Sequence, residues 1–291
     1  MSTERTGEPR YLVVGADGVI GRALSRQLQS LGKPVVGTTR RRDAVSGSHL
    51  YLDLAEQVDE WRCPWPVAVA FLCAGVTGLE ACRKDPEASA RVNVRGISTL
   101  ALSLAAVGAF VTYVSTNQVF DGSLATLRPD APHTPVTEYG RQKAEAENTL
   151  FALGDHACVV RFSKILAPDE PLFNRWIEAL KGSQSIHPFS DRVLAPVPLS
   201  FSLDVLQRVA ERRLPGVIQV SAPEDVTYEE AALHIAQRIG ASRDLVRPVR
   251  SIEFLSEPNP SNTTLDTARL REELGMEPAG AYEALDSMVR V

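Results

Sequence analysis

Apolar positions in the first half of the chain follow two alternating rhythms. Residues 11–14 form a short apolar run closed by glycine, as expected for a strand buried on both faces. Ala23, Leu24, Leu28 and Leu31 then recur at helical spacing, Gly32 ends that helix, and residues 34–39 predict a second strand. Further strands are predicted at 50–52, 67–72, 110–114 and 157–161, with a helix from about 88 to 106 between the fourth and fifth. Strands alternating with helices predict an α/β fold, a Rossmann-like doubly wound parallel sheet whose ligands lie beyond the carboxyl ends of its strands.

After Arg161 the pattern loosens. Prolines stand at 168, 171, 188, 196 and 198, and helices are predicted near 173–181, 203–212 and 228–239. The expected partition is an NAD(P)-binding Rossmann domain over residues 1–162 and a smaller C-terminal α/β substrate lobe over 163–291. The strand-like residues 217–220 can extend the main sheet or stand apart from it.

Composition narrows the function classes. Apolar residues make up 44% of the 291 and charged residues 23%, the balance of a protein that buries its own core. The 31 basic and 36 acidic residues are dispersed, giving a net charge of -5 and no basic stripe for a nucleic acid polymer or anionic lipid. Residues 1–10 are polar, and no apolar stretch approaches the roughly 20 residues that cross a bilayer, so a cytoplasmic, membrane-free protein is expected. Cys63, Cys73, Cys82 and Cys158 lack the paired spacing of metal or redox motifs; they are expected to be reduced and mostly buried, with no metal bound.

The candidate chemistry begins at Gly15-Ala16-Asp17-Gly18-Val19-Ile20-Gly21, between the first strand and the first helix. The first glycine permits a tight bend, the second a close phosphate, the third close helix packing, and amides at the helix start face a pyrophosphate. NAD-binding versions carry an acid at the end of the second strand, but here that stretch reads Thr38-Thr39-Arg40-Arg41-Arg42. A guanidinium beside a hydroxyl suits a 2′-phosphate, so NADP(H) is favoured over NAD(H), with Thr39 and Arg40 as the contacts. Tyr139 and Lys143 are four apart on a predicted helix and share a face. An ammonium beside a phenol is expected to lower its pKa from about 10 and to permit proton transfer to a carbonyl oxygen. Ser115-Thr116 lies where the fifth strand ends, so a hydroxyl there can hydrogen-bond the same oxygen.

Taken together, Gly-x-x-Gly-x-x-Gly, Asp53-Leu54, Cys73-Ala74-Gly75, Ser115-Thr116 and Tyr139-x-x-x-Lys143 resemble the extended short-chain dehydrogenase/reductase family. Within it, the run from Val114 to Gly122 and the stretch from Leu72 to Asn93 look most like the dTDP-4-dehydrorhamnose reductase branch. The resemblance implies an NADPH-dependent reductase of a nucleotide-activated 4-keto sugar. It implies that Thr116 holds the substrate carbonyl, Tyr139 delivers the proton and Lys143 binds the nicotinamide ribose. By the same resemblance Asp53 and Leu54 meet the adenine, and Cys73, Ala74 and Gly75 run beside the cofactor. Asn93 has two readings, a supporting residue of the cofactor or a helical polar residue bonded to nearby backbone.

On the substrate side Asn117-Gln118 replaces the branch's usual Asp-Tyr, and Lys164 stands where a tryptophan is usual. With Arg192 in a substrate-lobe loop, these complete the expected sugar contacts. A homodimer is compatible with the sequence. Two other functions fit the same motifs: a non-catalytic NADP-binding regulatory subunit, such as that of methionine adenosyltransferase, and a sugar-nucleotide epimerase or dehydratase. The latter enzymes recycle a tightly held NAD, which the arginines after the second strand oppose.

Overall fold

A computed structural model describes residues 8–56, 58–254 and 260–289; most of the polar opening stretch, residues 1–7, lies outside them. In chain order the elements are β1 (Arg10–Val14), α1 (Val19–Ser30), β2 (Val35–Thr39), β3 (His49–Tyr51), β4 (Val67–Leu72), α2 (Leu79–Lys84) and α3 (Pro86–Ala90). A π-helical turn (Arg91–Gly96) leads into α4 (Ile97–Ala106), β5 (Phe110–Thr116), α5 (Glu138–Phe151), β6 (Ala157–Phe162), β7 (Ile165–Leu166) and α6 (Pro171–Lys181). Then come β8 (Val193–Leu194), β9 (Val197–Pro198), α7 (Leu199–Arg212), β10 (Gly216–Val220), β11 (Val226–Thr227), α8 (Tyr228–Arg238), α9 (Ala268–Leu274) and α10 (Ala281–Val289).

Seven strands form one sheet in the order β10-β6-β5-β4-β1-β2-β3, the Rossmann-like arrangement that the alternation predicts. β1 pairs in parallel with both β2 and β4, and the same direction continues from β2 to β3 and from β4 to β5. The strand-like stretch before Val220 joins this sheet at its edge as β10. All five residues of β2 are buried, which explains its apolar run: a strand covered on both faces has no side for polar alternation.

The chain forms two compact units built from non-consecutive segments. The first comprises residues 1–119, 135–161 and 203–218, the second 120–134, 162–202 and 219–291. In the first, Leu12, Val14, Leu72, Leu100, Leu104, Val111, Tyr113, Ala146, Leu150 and Val159 belong to one buried cluster. In the second, Leu166, Phe173, Trp176, Ile235, Leu285 and Met288 form a separate core. There the Phe173 and Trp176 rings meet edge to face at 5.3 Å. A capping box of Thr227 and Glu230 starts α8.

One expected element is interrupted. The helix predicted from 88 to 106 is broken by the π-helical turn, and the cause is tertiary. Within the turn the Asn93 amide is drawn to the Val76 peptide, and Gly96 lies so close to Leu54 that a Cβ would overlap its carbonyl oxygen. Among the described residues no helix is long and apolar enough to cross a membrane. The four cysteines are free, with Cys63, Cys82 and Cys158 buried and Cys73 half-buried.

Candidate active site

The glycine turn forms one wall of a cavity of about 440 Å³. Gly15 takes φ +84°, and a Cβ there would sit 2.8 Å from the backbone of Ala74, so only glycine fits between the two segments. A Cβ on Gly21 would overlap the Gly15 carbonyl, which fixes how tightly α1 follows the turn. α1 starts on Gly18 with no side-chain cap and no acid in its first turn, leaving its amide end suited to an anion.

Of the residues expected at a cofactor, Gly15, Asp17, Gly18, Thr39, Arg40, Leu54, Cys73, Ala74 and Gly75 line this cavity. Leu52, Val76 and Val92 add apolar wall that the motifs did not mark, and Arg41 adds charge. Their signal was weak, since buried apolar residues beside a strand end are common. Asp53 lies between two lining leucines, and its carboxylate accepts the Ala55 N–H at 2.9 Å, holding the turn after β3. Burial pushes the Cys73 thiol up to about 12, which keeps it protonated at neutral pH.

The three arginines after β2 diverge. Arg42 stacks over the Tyr51 ring at 4.1 Å, and Arg41 donates to Asp17 Oδ1 at 3.1 Å. Arg40 lines the cavity, exposed. One expectation needs correcting. The sequence shows no carboxylate at the end of β2, yet the fold supplies one from the glycine turn: Asp17 Oδ2 accepts the Thr39 hydroxyl at 2.6 Å. The Thr39 oxygen also accepts the Arg41 N–H at 3.0 Å, so the hydroxyl's one hydrogen is spent on Asp17 and one of its lone pairs on Arg41. The Thr39 bond, followed by Arg41, holds the Asp17 carboxyl below its ordinary value.

The two residues expected to transfer the proton sit on α5, whose N-cap Thr137 accepts the Gly140 N–H with its hydroxyl. Tyr139 is 9% exposed and Lys143 6%. The lysine ammonium donates to the Val114 carbonyl at 2.6 Å and lies 3.9 Å from the centre of the Tyr113 ring. It is thereby fixed at the end of β5, where Thr116 is the last strand residue. The Thr116 hydroxyl accepts the Gln118 N–H at 3.2 Å. The expected lowering of the Tyr139 phenol is absent from this geometry. Burial, then the Cys82 thiol, pushes it up, because the ammonium is turned to Val114 and Tyr113. Tyr139 therefore holds its proton at neutral pH. Burial brings Lys143 down to about 7, with Glu147 one turn further along α5 opposing that shift.

The unfolded chain keeps Lys143 charged up to its ordinary 10.5, while the folded chain releases the proton near 7. The contribution of Lys143 to stability therefore rises with pH between those two values and is lowest below 7. Lys143→Met is expected to stabilise the fold by on the order of 2 kcal/mol at about pH 6, and the gain should vanish towards about pH 10. Urea midpoints at the two pH values check this; a gain that does not change with pH would contradict it.

Asn93 ties three segments together. Its amide accepts the Val76 N–H at 2.7 Å and donates to the Val76 carbonyl at 2.9 Å and to Gln142 at 2.8 Å. Gln142 in turn donates to Ser89 at 2.8 Å, so the segment after β4 is tied to the helix that carries Tyr139 and Lys143. Below them, buried Glu147 accepts hydrogen bonds from Ser115 and from Arg161 of β6, the latter at 2.7 Å. The sequence motifs did not mark Glu147, and its spacing from Tyr139, two helical turns on, was the only signal.

The expected sugar contacts are largely engaged elsewhere. Asn117 accepts weakly from Thr116 at 3.4 Å, and Gln118 accepts the Thr137 hydroxyl at 3.2 Å, supporting the start of α5. In the second unit Lys164 is paired with Glu170 at 3.0 Å, whereas Arg192 is held through its backbone, whose carbonyl accepts the Tyr228 N–H, a bond that does not involve the guanidinium. Thr263 is held by Asp225 at 3.0 Å and Leu265 by Ser221 at 3.0 Å, so the segment around them is structural.

A family model described as the RmlD substrate binding domain matches residues 9–291. The methionine adenosyltransferase 2 subunit beta of Bos taurus is 26% identical over 280 residues, covering 92% of this chain and 83% of that protein. The dTDP-4-dehydrorhamnose reductase of Streptomyces griseus is 28% identical over 287 residues, covering 95% and 91%. Among solved structures, the dTDP-4-dehydrorhamnose reductase of Bacillus anthracis in complex with NADP superposes with a TM-score of 0.86 at 20% identity, covering 97% and 99%, a likeness of fold.

Proposed function

From the chain's membership of the RmlD substrate-binding domain family, we propose that it is an NADPH-dependent reductase of a nucleotide-activated 4-keto sugar. The observation that carries this reading is the pair on α5: a buried phenol that keeps its proton, one turn from a buried lysine fixed on the Val114 carbonyl near the end of β5. The lysine ammonium is buried at a cost, and proton chemistry beside the phenol gives it a purpose.

The cavity fits a nicotinamide dinucleotide. It offers a glycine-lined approach, the open end of α1, apolar wall from Leu52, Leu54 and Val92, and the free guanidinium of Arg40 towards a 2′-phosphate. When bound, the dinucleotide supplies the hydride. Tyr139 gives its proton to the carbonyl oxygen, Thr116 hydrogen-bonds the same oxygen, and Lys143, held on the Val114 carbonyl, orients the ribose. Asn93 and Gln142 keep the segment after β4 and α5 in register while this happens.

A panel of nucleotide-linked 4-keto sugars mixed with NADPH tests the proposal. Oxidation of NADPH is expected with at least one of them. The resemblance to an adenosyltransferase subunit favours a second reading, a dinucleotide-binding regulatory chain, and that reading predicts no oxidation with any.

A further inference from the structure

The acid at the wall of the dinucleotide cavity has a consequence for which dinucleotide is accepted. Asp17 belongs to the glycine turn, but both of its carboxylate oxygens point to the end of β2: Oδ2 accepts from Thr39 at 2.6 Å and Oδ1 from Arg41 at 3.1 Å. All three residues, with Arg40, line the cavity. The carboxylate thus occupies the region where a Rossmann fold that selects NAD places an acid from the strand itself. It also engages the one guanidinium that would otherwise be free to join Arg40 in binding a phosphate.

We propose that Asp17 is the residue that sets cofactor selectivity in this chain, restraining Arg41 and opposing a 2′-phosphate so that NADH is accepted beside NADPH. This rests on reading the cavity as a dinucleotide site. The two charges act in opposite senses at one place. Arg40 attracts the 2′-phosphate, while Asp17 repels it and can accept a ribose hydroxyl in its absence. The strength of each follows from proximity in a partly solvated wall, where like charges a few ångströms apart shift an equilibrium by about tenfold.

Fluorescence titration of the purified chain with NADPH and with NADH, without sugar substrate, measures the selectivity directly. Asp17→Asn keeps the size of the side chain and its bond to Thr39 while removing the charge. It is expected to shift the ratio of the two dissociation constants towards NADPH by about tenfold. Arg41→Ala in that background should remove more than half of the gain, because the released guanidinium provides it. An unchanged ratio in Asp17→Asn, with both dinucleotides still bound, would overturn the role of Asp17 alone. Failure of wild type and variant to bind either dinucleotide would overturn the reading of the cavity itself.

Discussion

Replacing Tyr139 with phenylalanine is expected to lower turnover by about a thousandfold while dinucleotide affinity stays within about threefold of wild type. The change removes one oxygen from a ring that is 9% exposed, so packing on α5 is kept. What is lost is the only proton that this phenol can deliver. Its burial holds that proton in place at neutral pH, which suits a donor to an oxygen that gains negative charge only as hydride arrives. The dinucleotide cavity is lined by the glycine turn, the ends of β2 and β4 and Val92, with no contribution from Tyr139, so its affinity is untouched. Turnover reduced less than tenfold would remove Tyr139 from the chemistry.

The second large effect concerns the buried ion pair beneath the site. Arg161 and Glu147 are 1% and 0% exposed, and their closest atoms are 2.7 Å apart. Arg161→Met leaves the Glu147 carboxylate in the core with only Ser115 donating to it among the bonds named above, which is expected to lower stability by about 3–5 kcal/mol. Urea unfolding measures the loss. Combining it with Glu147→Gln removes both charges and is expected to recover at least half of the deficit, since a neutral amide tolerates the site far better than an ion. A double variant as unstable as the sum of the two single changes would show that the pair is not coupled. The pair joins β6, α5 and the residue before Thr116, so the single variant should also lose turnover at temperatures where it remains folded.

Much of this was legible in the sequence. The apolar run at 67–72 matches β4 residue for residue, because a strand buried on both faces announces itself as an uninterrupted stretch. The glycine turn was readable because backbone at Gly15 and contact at Gly21 admit no other residue, and a steric demand of that kind is written into residue type. Helical spacing predicts that Tyr139 and Lys143 share one helix, and both lie on α5, while the roles expected of them come from the family resemblance.

Three features were not legible, each for a tertiary reason. The π-helical turn at 91–96 depends on Val76 and Leu54, which lie distant in sequence, so local propensity still favoured a continuous helix. The carboxylate at the end of β2 is not written along the strand, because Asp17 reaches Thr39 from 22 residues away in sequence. The upward shift of the Tyr139 phenol is hidden from the sequence for a related cause. Spacing places a lysine one turn away but does not say where its ammonium points, and here the Val114 carbonyl claims it.

The proposal of a sugar reductase is tested most directly by the fate of the hydride. NADPH carrying deuterium at the transferring position of its nicotinamide ring would be incubated with the chain and the nucleotide-linked 4-keto sugar that the panel selects. The sugar should then gain one deuterium at the former carbonyl carbon, and Tyr139→Phe should suppress that transfer. Recovery of unlabelled sugar and intact labelled NADPH, with the dinucleotide demonstrably bound, would contradict a reductase and leave a binding protein in its place.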